Sequence, residues 1–458
     1  MSQAQPKITI IGAGLTGLTT GFYLKNAGFN VTILERTNHI GGVIQSVKKN
    51  GFLYEKGPNT GVVGNVELVT LFKDLEGIIE PIIANPDSKK RLILKNKHWH
   101  ALPSGVLSAI KTPLFTWYDK FRILGEPFRK KGTNPDETLA DLVRRRMGNS
   151  FLKYAIDPFI SGIYAGDPET LIPRLALPKL YNLEQNYGSF IKGAIKKAKE
   201  PKTDLEKQVS KEVFSIKGGL QKLTDALAHK IGGENILLNI DITQIEKVGN
   251  QFSIKYNISD KIEQLKSDIV ISTIGANEFT KFCPFINQNQ IQILTNIRYA
   301  KITQVAVGYN EWKGIPINAF GGLVPSSEKR NVLGVLFPSS IFKNRAPEGG
   351  ALLSFFMGGI KKPELFDLND EEVLAIVTNE LKELLNTDQK PDFVDIFRYP
   401  MAIPQYEISS DKRFKVIDEI QNDFNGLILA GNIRNGIGMS DRVKQGYDIA
   451  QSIINQHH

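Results

Sequence analysis

The chain has 458 residues, room for two or three cores, and its 41% hydrophobic and 23% charged residues are those of an ordinary soluble globular protein. A single cysteine, Cys283, excludes an intramolecular disulfide and a cysteine-rich metal site, and the six histidines show no metal-ligand spacing. No apolar run reaches the length of a membrane span, and the polar start Met1-Ser-Gln-Ala-Gln-Pro has no signal-peptide character, so a cytoplasmic location is the expectation.

The first predicted unit is strand, glycine turn, helix, strand. Lys7-Ile-Thr-Ile-Ile reads as a buried parallel strand that turns at Gly12-Ala-Gly14-Leu15-Thr16-Gly17 into a helix ending near Gly28. Gly12 permits the tight turn, Gly14 lets backbone approach a pyrophosphate, and Gly17 lets the helix sit close to the strand. The first helical N–H groups and the helix dipole then face phosphate. A second strand, Val31 to Leu34, ends at Glu35, an acid 18 residues after Gly17 and placed to accept hydrogen bonds from ribose hydroxyls. Arg36, the pair Gly41-Gly42 and then Gly57-Pro58-Asn59 follow. Glu-Arg-x₄-Gly-Gly resembles the two-dinucleotide-binding flavoproteins, so the expected cofactor is FAD rather than a nicotinamide.

Further along, Asn65 to Leu75 is predicted helical, and Ile78 to Ile83 and Arg91 to Leu94 are short strands about a turn at Asn85-Pro86-Asp87. Residues 85–134 carry eleven Lys/Arg against three acids, which is nearly all of the net charge of +9, together with Trp99 and Trp117. Basic residues interleaved with aromatics suggest a face against anionic lipid, with a solvated basic rim as the alternative; no nucleic-acid-binding motif accompanies the charge. A helix capped by Thr133 or Asn134 runs to Gly148, Ser150 to Lys199 is mainly helical, and Lys192 to Lys202 reads as a mobile basic loop. Next come a helix at Leu220 to Ile231, strands at Ile236 to Leu238, Ile242 to Val248 and Phe252 to Tyr256, and the buried strand of Asp268-Ile-Val-Ile-Ser-Thr273. Thr303 to Tyr309, Ala319 to Val324, Val332 to Phe337 and Leu352 to Met357 suggest a second, mixed sheet under a helix from Asn369 to Leu385. The chain closes on the strand Gly426 to Ala430, a turn at Gly431-Asn432, and a helix that follows Gly438-Met439.

Several blocks carry a resemblance to the oxygen-dependent protoporphyrinogen oxidase family of haem biosynthesis, over nearly the whole length. They are Lys90-Arg91-Leu-Ile-Leu with Ala101-Leu-Pro-Ser-Gly, Ile160-Ser-Gly-Ile-Tyr-Ala-Gly-Asp-Pro, Phe320-Gly-Gly-Leu-Val-Pro-Ser-Ser, Ala402-Ile-Pro-Gln-Tyr, and Gly431-Asn with Gly436-Ile-Gly. One departure stands out: Ser409-Ser410 occupies the place where the family usually has Gly-His.

The resemblance implies an α/β fold: a discontinuous Rossmann-like FAD-binding domain (1–85, 208–282, 424–458), a mixed-sheet substrate domain (86–97, 283–423), and a mainly helical membrane-binding insertion (98–207). It implies oxidation of protoporphyrinogen IX to protoporphyrin IX, with O2 as acceptor and H2O2 released, on the inner face of the cell membrane. A hand-off of product to ferrochelatase and a homodimer go with it. Hydride transfer belongs to the flavin, so no catalytic side chain and no metal are expected. Arg91 would hold a propionate, Leu323 and Phe356 would sandwich the macrocycle, and Gly166 would face the reacting ring. Thr273, Gly431, Asn432, Gly438 and Met439 would join the N-terminal glycines, Leu15, Thr16, Glu35, Arg36 and Gly57-Pro58-Asn59 around FAD. The rival readings are a coproporphyrinogen III oxidase of the same fold, a flavin amine oxidase or desaturase, and a non-catalytic FAD-bearing scaffold.

Overall fold

The computed structural model describes residues 5–259 and 261–457; the first four residues of the polar N-terminal stretch lie outside the described residues. At its centre is a five-stranded, wholly parallel sheet. β1 (Lys7–Ile11) lies between β2 (Asn30–Leu34) and Ile269–Ser272, with Ile236–Leu237 beyond β2 and Leu427–Leu429 beyond Ile269–Ser272. Connections leave β1 first to one side and later to the other, so a topological switch point lies beside its C-terminal end. Ile8 and Ile10 are buried under helices on one face, and Ile11 on the other under an antiparallel ribbon (Asp241–Val248, Gln251–Ile258) with helices beside it, so both faces are covered and the strand reads as a continuous apolar run.

α1 (Leu15–Asn26) packs between this sheet, the helix Gln221–Ile231 and the last helix, Met439–His457. Its Leu18, Phe22 and Leu24 are buried, each contributing about 1.5–3 kcal/mol. Thr20 Oγ1 donates to the Gly446 carbonyl at 3.3 Å, joining the first helix to the last.

A seven-stranded mixed sheet forms the second core. Its order is Phe393–Pro404, Tyr299–Tyr309, Ala351–Gly358, Gly334–Leu336, Gly321–Leu323, Arg91–Lys95, His98–Ala101. One face buries Val305, Val307, Val335, Leu353 and Phe355 under the helix Asp370–Leu385, which Asn369 caps in a capping box. The other face looks toward the glycine loops and the helices of the 100–200 region.

Three elements differ from the sequence expectations. The helix expected from Thr133 or Asn134 starts later, at Leu139, because Asn134 closes a turn through the Asp136 N–H and Thr138 supplies the cap to Asp141 N–H. Residues Phe190–Ala198 are helical rather than a basic loop: Ser189 caps them, and Phe190 and Gly193 are buried. Lys261–Ser267 pairs with Gln251–Ile258 as a third ribbon strand, although its solvent-facing, largely polar sequence gives little alternation to detect.

Candidate functional site

The glycines of the first turn divide into two kinds. Gly12 has φ +100°, and a Cβ there would strike Ile274 and Thr273 at 2.8 Å; a Cβ on Gly17 would lie 2.1 Å from the Gly12 carbonyl oxygen. These two set the turn and the helix–strand contact. Gly14 is the opposite case, with no atom within 4 Å of where a Cβ would stand. It caps α1 without a side chain, and the first helical turn holds no acid. Uncapped N–H groups and an unneutralised dipole end therefore open onto free space, an arrangement that suits a pyrophosphate.

Leu15 and Thr16 are buried beneath this turn, and Thr16 Oγ1 donates to the Arg442 carbonyl at 3.3 Å. Glu35 follows β2 directly. One carboxylate oxygen accepts the Ala13 N–H at 2.8 Å, and the other accepts the Thr37 N–H and hydroxyl at 2.9 Å each, so the acid is fixed beside the glycine turn. Arg36 is exposed, its guanidinium paired with Glu278 at 3.0 Å. The Gly41 N–H reaches the Ala13 carbonyl at 2.8 Å, and a Cβ on Gly42 would lie 3.6 Å from Gly14 Cα. The two glycine segments thus share one wall.

From the mixed sheet, Gln304 clasps the third loop. It is 1% exposed; its Nε2 donates to the Glu55 carbonyl at 2.8 Å and its Oε1 accepts the Gly57 N–H at 3.0 Å. Asn59 is buried, donates to the Gly57 carbonyl at 3.1 Å and accepts from Ser354 Oγ at 3.0 Å. Pro58 between them is half-buried. On the far side of β1, Thr273 Oγ1 donates to the Ile11 and Gly12 carbonyls at 2.9 and 3.1 Å. Gly431 takes φ +87° against the Thr273 carbonyl, and its N–H donates to Gln445 Oε1 at 2.9 Å. The Asn432 carbonyl accepts from Tyr406 Oη at 3.1 Å; Gly438 gives its N–H to Asp441, and Met439 opens the final helix, buried. All the expected cofactor residues thus border the C-terminal edge of the parallel sheet or the loops joining it to the mixed sheet, Arg36 on the exposed side of that edge.

Three of the four expected substrate residues also converge. Leu323, Gly334 and Phe356 are direct partners across three antiparallel strands, so their side chains share a face with a glycine between them. That face meets the helix Asp157–Tyr164: a Cβ on Gly162 would touch Leu323 Cδ2 at 2.4 Å. After the helix, Ala165 (φ +47°) turns the chain to buried Gly166, and the Ala165 carbonyl accepts the Ile360 N–H at 2.8 Å, just past the strand of Phe356. A Cβ on Gly166 would lie 2.5 Å from Gln405 Oε1. Arg91 is in register with Gly321 and two residues before Ile93, which pairs with Leu323. It therefore stands on the same face at its rim, exposed, with its guanidinium 5.4 Å from the Phe320 ring centre and no acid paired to it among the described residues.

Sequence reasoning passed over Gln304, Tyr399 and Asp157, and named Gln405 only within the Ala402-Ile-Pro-Gln-Tyr block, with no role of its own. Gln304 had a signal: one amide in the apolar run from Ile302 to Val307. The Tyr399 phenol lies against Gly57, and burial pushes it up to about 12, so it stays protonated at neutral pH. Asp157 acts across a long loop and left no local pattern. Among the described residues no His/Cys/Asp/Glu group could hold a metal, and no helix is long and apolar enough to cross a membrane. Cys283 is buried, and burial raises its thiol far above the ordinary range.

The donor-rich turn, the fixed acid at the end of β2 and the clasped glycine loop suit FAD, and the chain is an FAD-dependent oxidoreductase. The family model described as flavin containing amine oxidoreductase matches residues 15–454, and the chain belongs to that family. It is 29% identical over 98% of its length to protoporphyrinogen oxidase 2, chloroplastic/mitochondrial, of Arabidopsis thaliana, of which it covers 94%. It is 26% identical to coproporphyrinogen III oxidase of Bacillus subtilis, with 97% of each chain covered. In fold it is similar to a crystal structure from Exiguobacterium sp. 255-15 provisionally named protoporphyrinogen oxidase (TM-score 0.82, 21% identity, 100% of each chain). It is also similar to reduced UDP-galactopyranose mutase (TM-score 0.74, 15% identity, 99% of this chain and 96% of that one).

Proposed function

We propose that the protein oxidises protoporphyrinogen IX to protoporphyrin IX in three two-electron steps, with O2 as acceptor and H2O2 as by-product. The observation that carries the reading is the apolar row Leu323–Gly334–Phe356, faced by the Gly162–Gly166 turn and ended by Arg91. A flat, greasy macrocycle with carboxylate arms needs an apolar face and a cation at its rim. When bound, FAD supplies the hydride acceptor, and the glycine turn, Glu35 and the Gly57 loop are the residues that would hold it. The protein's own part is placement: Leu323 and Phe356 grip the ring faces, Arg91 takes a carboxylate, and the tightly packed turn at Gly166 keeps water from the reacting carbon.

A second feature favours the dicarboxylate substrate. In the helix Trp117–Leu124 Ile123 packs inward, but the other apolar side chains point outward: Trp117 is 63% exposed and Phe121 68%, and Phe128 just beyond is 86% exposed. Lys120 lies over the Trp117 ring and Lys192 over Phe128, with Lys111, Lys130 and Lys131 exposed nearby. Such a face suits the headgroup region of an anionic leaflet, so the enzyme would draw its sparingly soluble substrate from the inner face of the cell membrane. Hand-off to ferrochelatase and a dimer belong to the same reading. The Bacillus subtilis relative supports a second one, oxidation of the tetracarboxylate coproporphyrinogen III.

The test is porphyrin fluorescence growth in air on purified holoprotein, with protoporphyrinogen and coproporphyrinogen side by side. Faster turnover of the dicarboxylate is expected. Preference for the tetracarboxylate would move the enzyme to the second reading, and no turnover of either would sink both.

A further inference from the structure

The sequence departure Ser409-Ser410 begins the helix Ser410–Asp423, and the next turn of that helix carries a side chain that the oxidation reaction leaves unused. Arg413 is 2% exposed. Its guanidinium sits 5.5 Å from the Tyr406 ring centre and 5.1 Å from that of Phe414, which cover it with π-faces. Its Nε and Nη2 have no hydrogen-bond partner among the described residues. These two nitrogens form one edge of the guanidinium, with parallel N–H bonds spaced for the two oxygens of a carboxylate.

Neighbouring groups do not fill that edge. Glu407, whose charge is felt at Arg413, gives its carboxylate to Arg298 at 3.2 Å. Tyr299 and Tyr406 also face the guanidinium, and burial raises both phenols, Tyr299 to about 12, so neither supplies an anion near neutral pH. The Tyr406 hydroxyl is committed to Asn432 and Gly436, whereas the Tyr299 hydroxyl is buried without a partner among the described residues, as is Ser410 Oγ one turn before Arg413. An arginine stays charged at any accessible pH, and a buried charge without a counter-ion is strongly disfavoured. Two orphan donors on one planar edge, two orphan hydroxyls and the N-terminus of a 14-residue helix occupy one buried neighbourhood.

We propose that Arg413 forms a buried carboxylate-binding site, with its Nε–Nη2 edge taking both oxygens and with Tyr299 and Ser410 as accessory donors. The site is distinct from Arg91, which is exposed on the mixed sheet, whereas Arg413 lies behind the Tyr406–Asn432–Gly436 contact. A free small carboxylate and a carboxylate arm of a bound substrate present the same chemistry. The chain links the two places, because Gln405, next to Tyr406, lies against Gly166.

The experiment is thermal unfolding of the holoprotein titrated with sodium formate and sodium acetate against sodium chloride at equal ionic strength. A saturable rise in Tm with the carboxylates and not with chloride is expected. Arg413→Gln should lose that rise, Arg413→Lys should keep only a weak one because an ammonium has no bidentate edge, and Tyr299→Phe should raise the apparent Kd. Wild-type protein alone decides the first point: a carboxylate response no larger than that of chloride overturns the proposal, as does a rise that survives in Arg413→Gln. Coproporphyrin III binding, followed by fluorescence quenching, separates the two sources. If substrate arms use the site, acetate competes with the porphyrin and Arg413→Gln weakens its binding. If free carboxylates use it, porphyrin binding is unchanged while the acetate response is lost. Neither outcome depends on turnover, so failure of the proposed reaction would be seen separately.

Discussion

Asp157 and Ser326 are joined by two hydrogen bonds, N–H to Oδ2 at 2.7 Å and Oγ to Oδ1 at 3.0 Å, across 169 residues of chain. Asp157 begins the helix that ends at the Gly166 turn; Ser326 lies three residues past Leu323. The same carboxylate also takes the ammonium of Lys361, just beyond the strand of Phe356. One acid therefore fixes the distance between the helix and both strands of the apolar row. Asp157→Ala should cost about 2–3 kcal/mol through unpaired groups left behind and raise KM for the porphyrinogen more than it lowers kcat. Asp157→Asn should recover part of both. A urea titration alongside steady-state kinetics checks this, and a KM unchanged in the folded Ala variant would count against the clamp.

The contrast between Gly14 and Gly17 gives a second prediction. Space around Gly14 is open, so Gly14→Val should fold to a normal apoprotein and lose FAD, because the side chain fills the pyrophosphate's place. Gly17→Val forces a Cβ to 2.1 Å from a carbonyl oxygen and should fail to fold. Absorbance near the flavin band and circular dichroism of the two variants separate the cases. A yellow Gly14→Val protein would end the cofactor assignment.

Arg91 carries a charge with no acidic partner among the described residues, on the rim of the face that holds Leu323. Its removal should therefore cost little stability, within about 0.5 kcal/mol. Arg91→Ala should raise KM for the porphyrinogen by about tenfold or more, the scale of one charge-assisted hydrogen bond, with flavin content unchanged. Arg91→Lys should fall between, because an ammonium cannot grip a carboxylate bidentately. Equal KM values for wild type and Arg91→Ala would remove the residue from the site.

The glycine unit, Glu35 and the main strands were legible because each is a local pattern: a run of apolar residues, a turn, a helix period. The alignment of Leu323 with Phe356 across Gly334 was not legible at that level, since register among three strands is set by the sheet and the turn chemistry rather than by any one segment. Arg36 was legible only as part of the flavoprotein pattern; its exposed side chain pairs with Glu278, on the short helix after Ile269–Ser272, a partner 242 residues away that no local pattern announces. Ser189 and Glu126 show the same limit. A run of five lysines between 192 and 202 outweighed one capping serine in the reading of the sequence, while in the fold the cap and a buried carboxylate 63 residues away decide the helix.

That carboxylate sets the acid limit of the helical region. Burial pushes Glu126 up, but hydrogen bonds from Ser189, the Phe190 N–H, Arg146 and the Ile191 N–H together hold it below its ordinary 4.5. Glu184 is lowered likewise, burial being outweighed by Arg145, the Gly132 N–H and the charge of Arg146. A carboxyl lowered in the fold contributes stability that is complete above its unfolded value and lost as pH falls through the folded one. Stability should hold down to pH near 4.5 and decline below it. Glu126→Gln should cost about 3–5 kcal/mol at pH 7, because buried Arg146 is left with Glu184 as its one remaining carboxylate partner, and should flatten the acid slope. Urea midpoints at pH 7, 5 and 4 test it; parallel acid slopes for wild type and variant would refute it.

The outward-facing helix Trp117–Leu124 supplies the last test. Its only buried side chain, Asp119, serves the cap with Thr116, so the exposed Trp117, Tyr118, Phe121 and Leu124 are not needed for the helix's own fold. Replacing Trp117 and Phe121 by Ser should leave Tm within a few degrees and leave FAD bound. Flotation with vesicles of phosphatidylglycerol and phosphatidylcholine should then show the difference. Wild type should float, more weakly as salt rises because part of the attraction is screened. The double variant should stay in the dense fraction, and it should oxidise detergent-dispersed substrate normally while losing rate on substrate presented in vesicles. Wild type that fails to float, or a variant that floats equally well, would return this face to a solvated rim and remove the argument for a membrane-borne substrate.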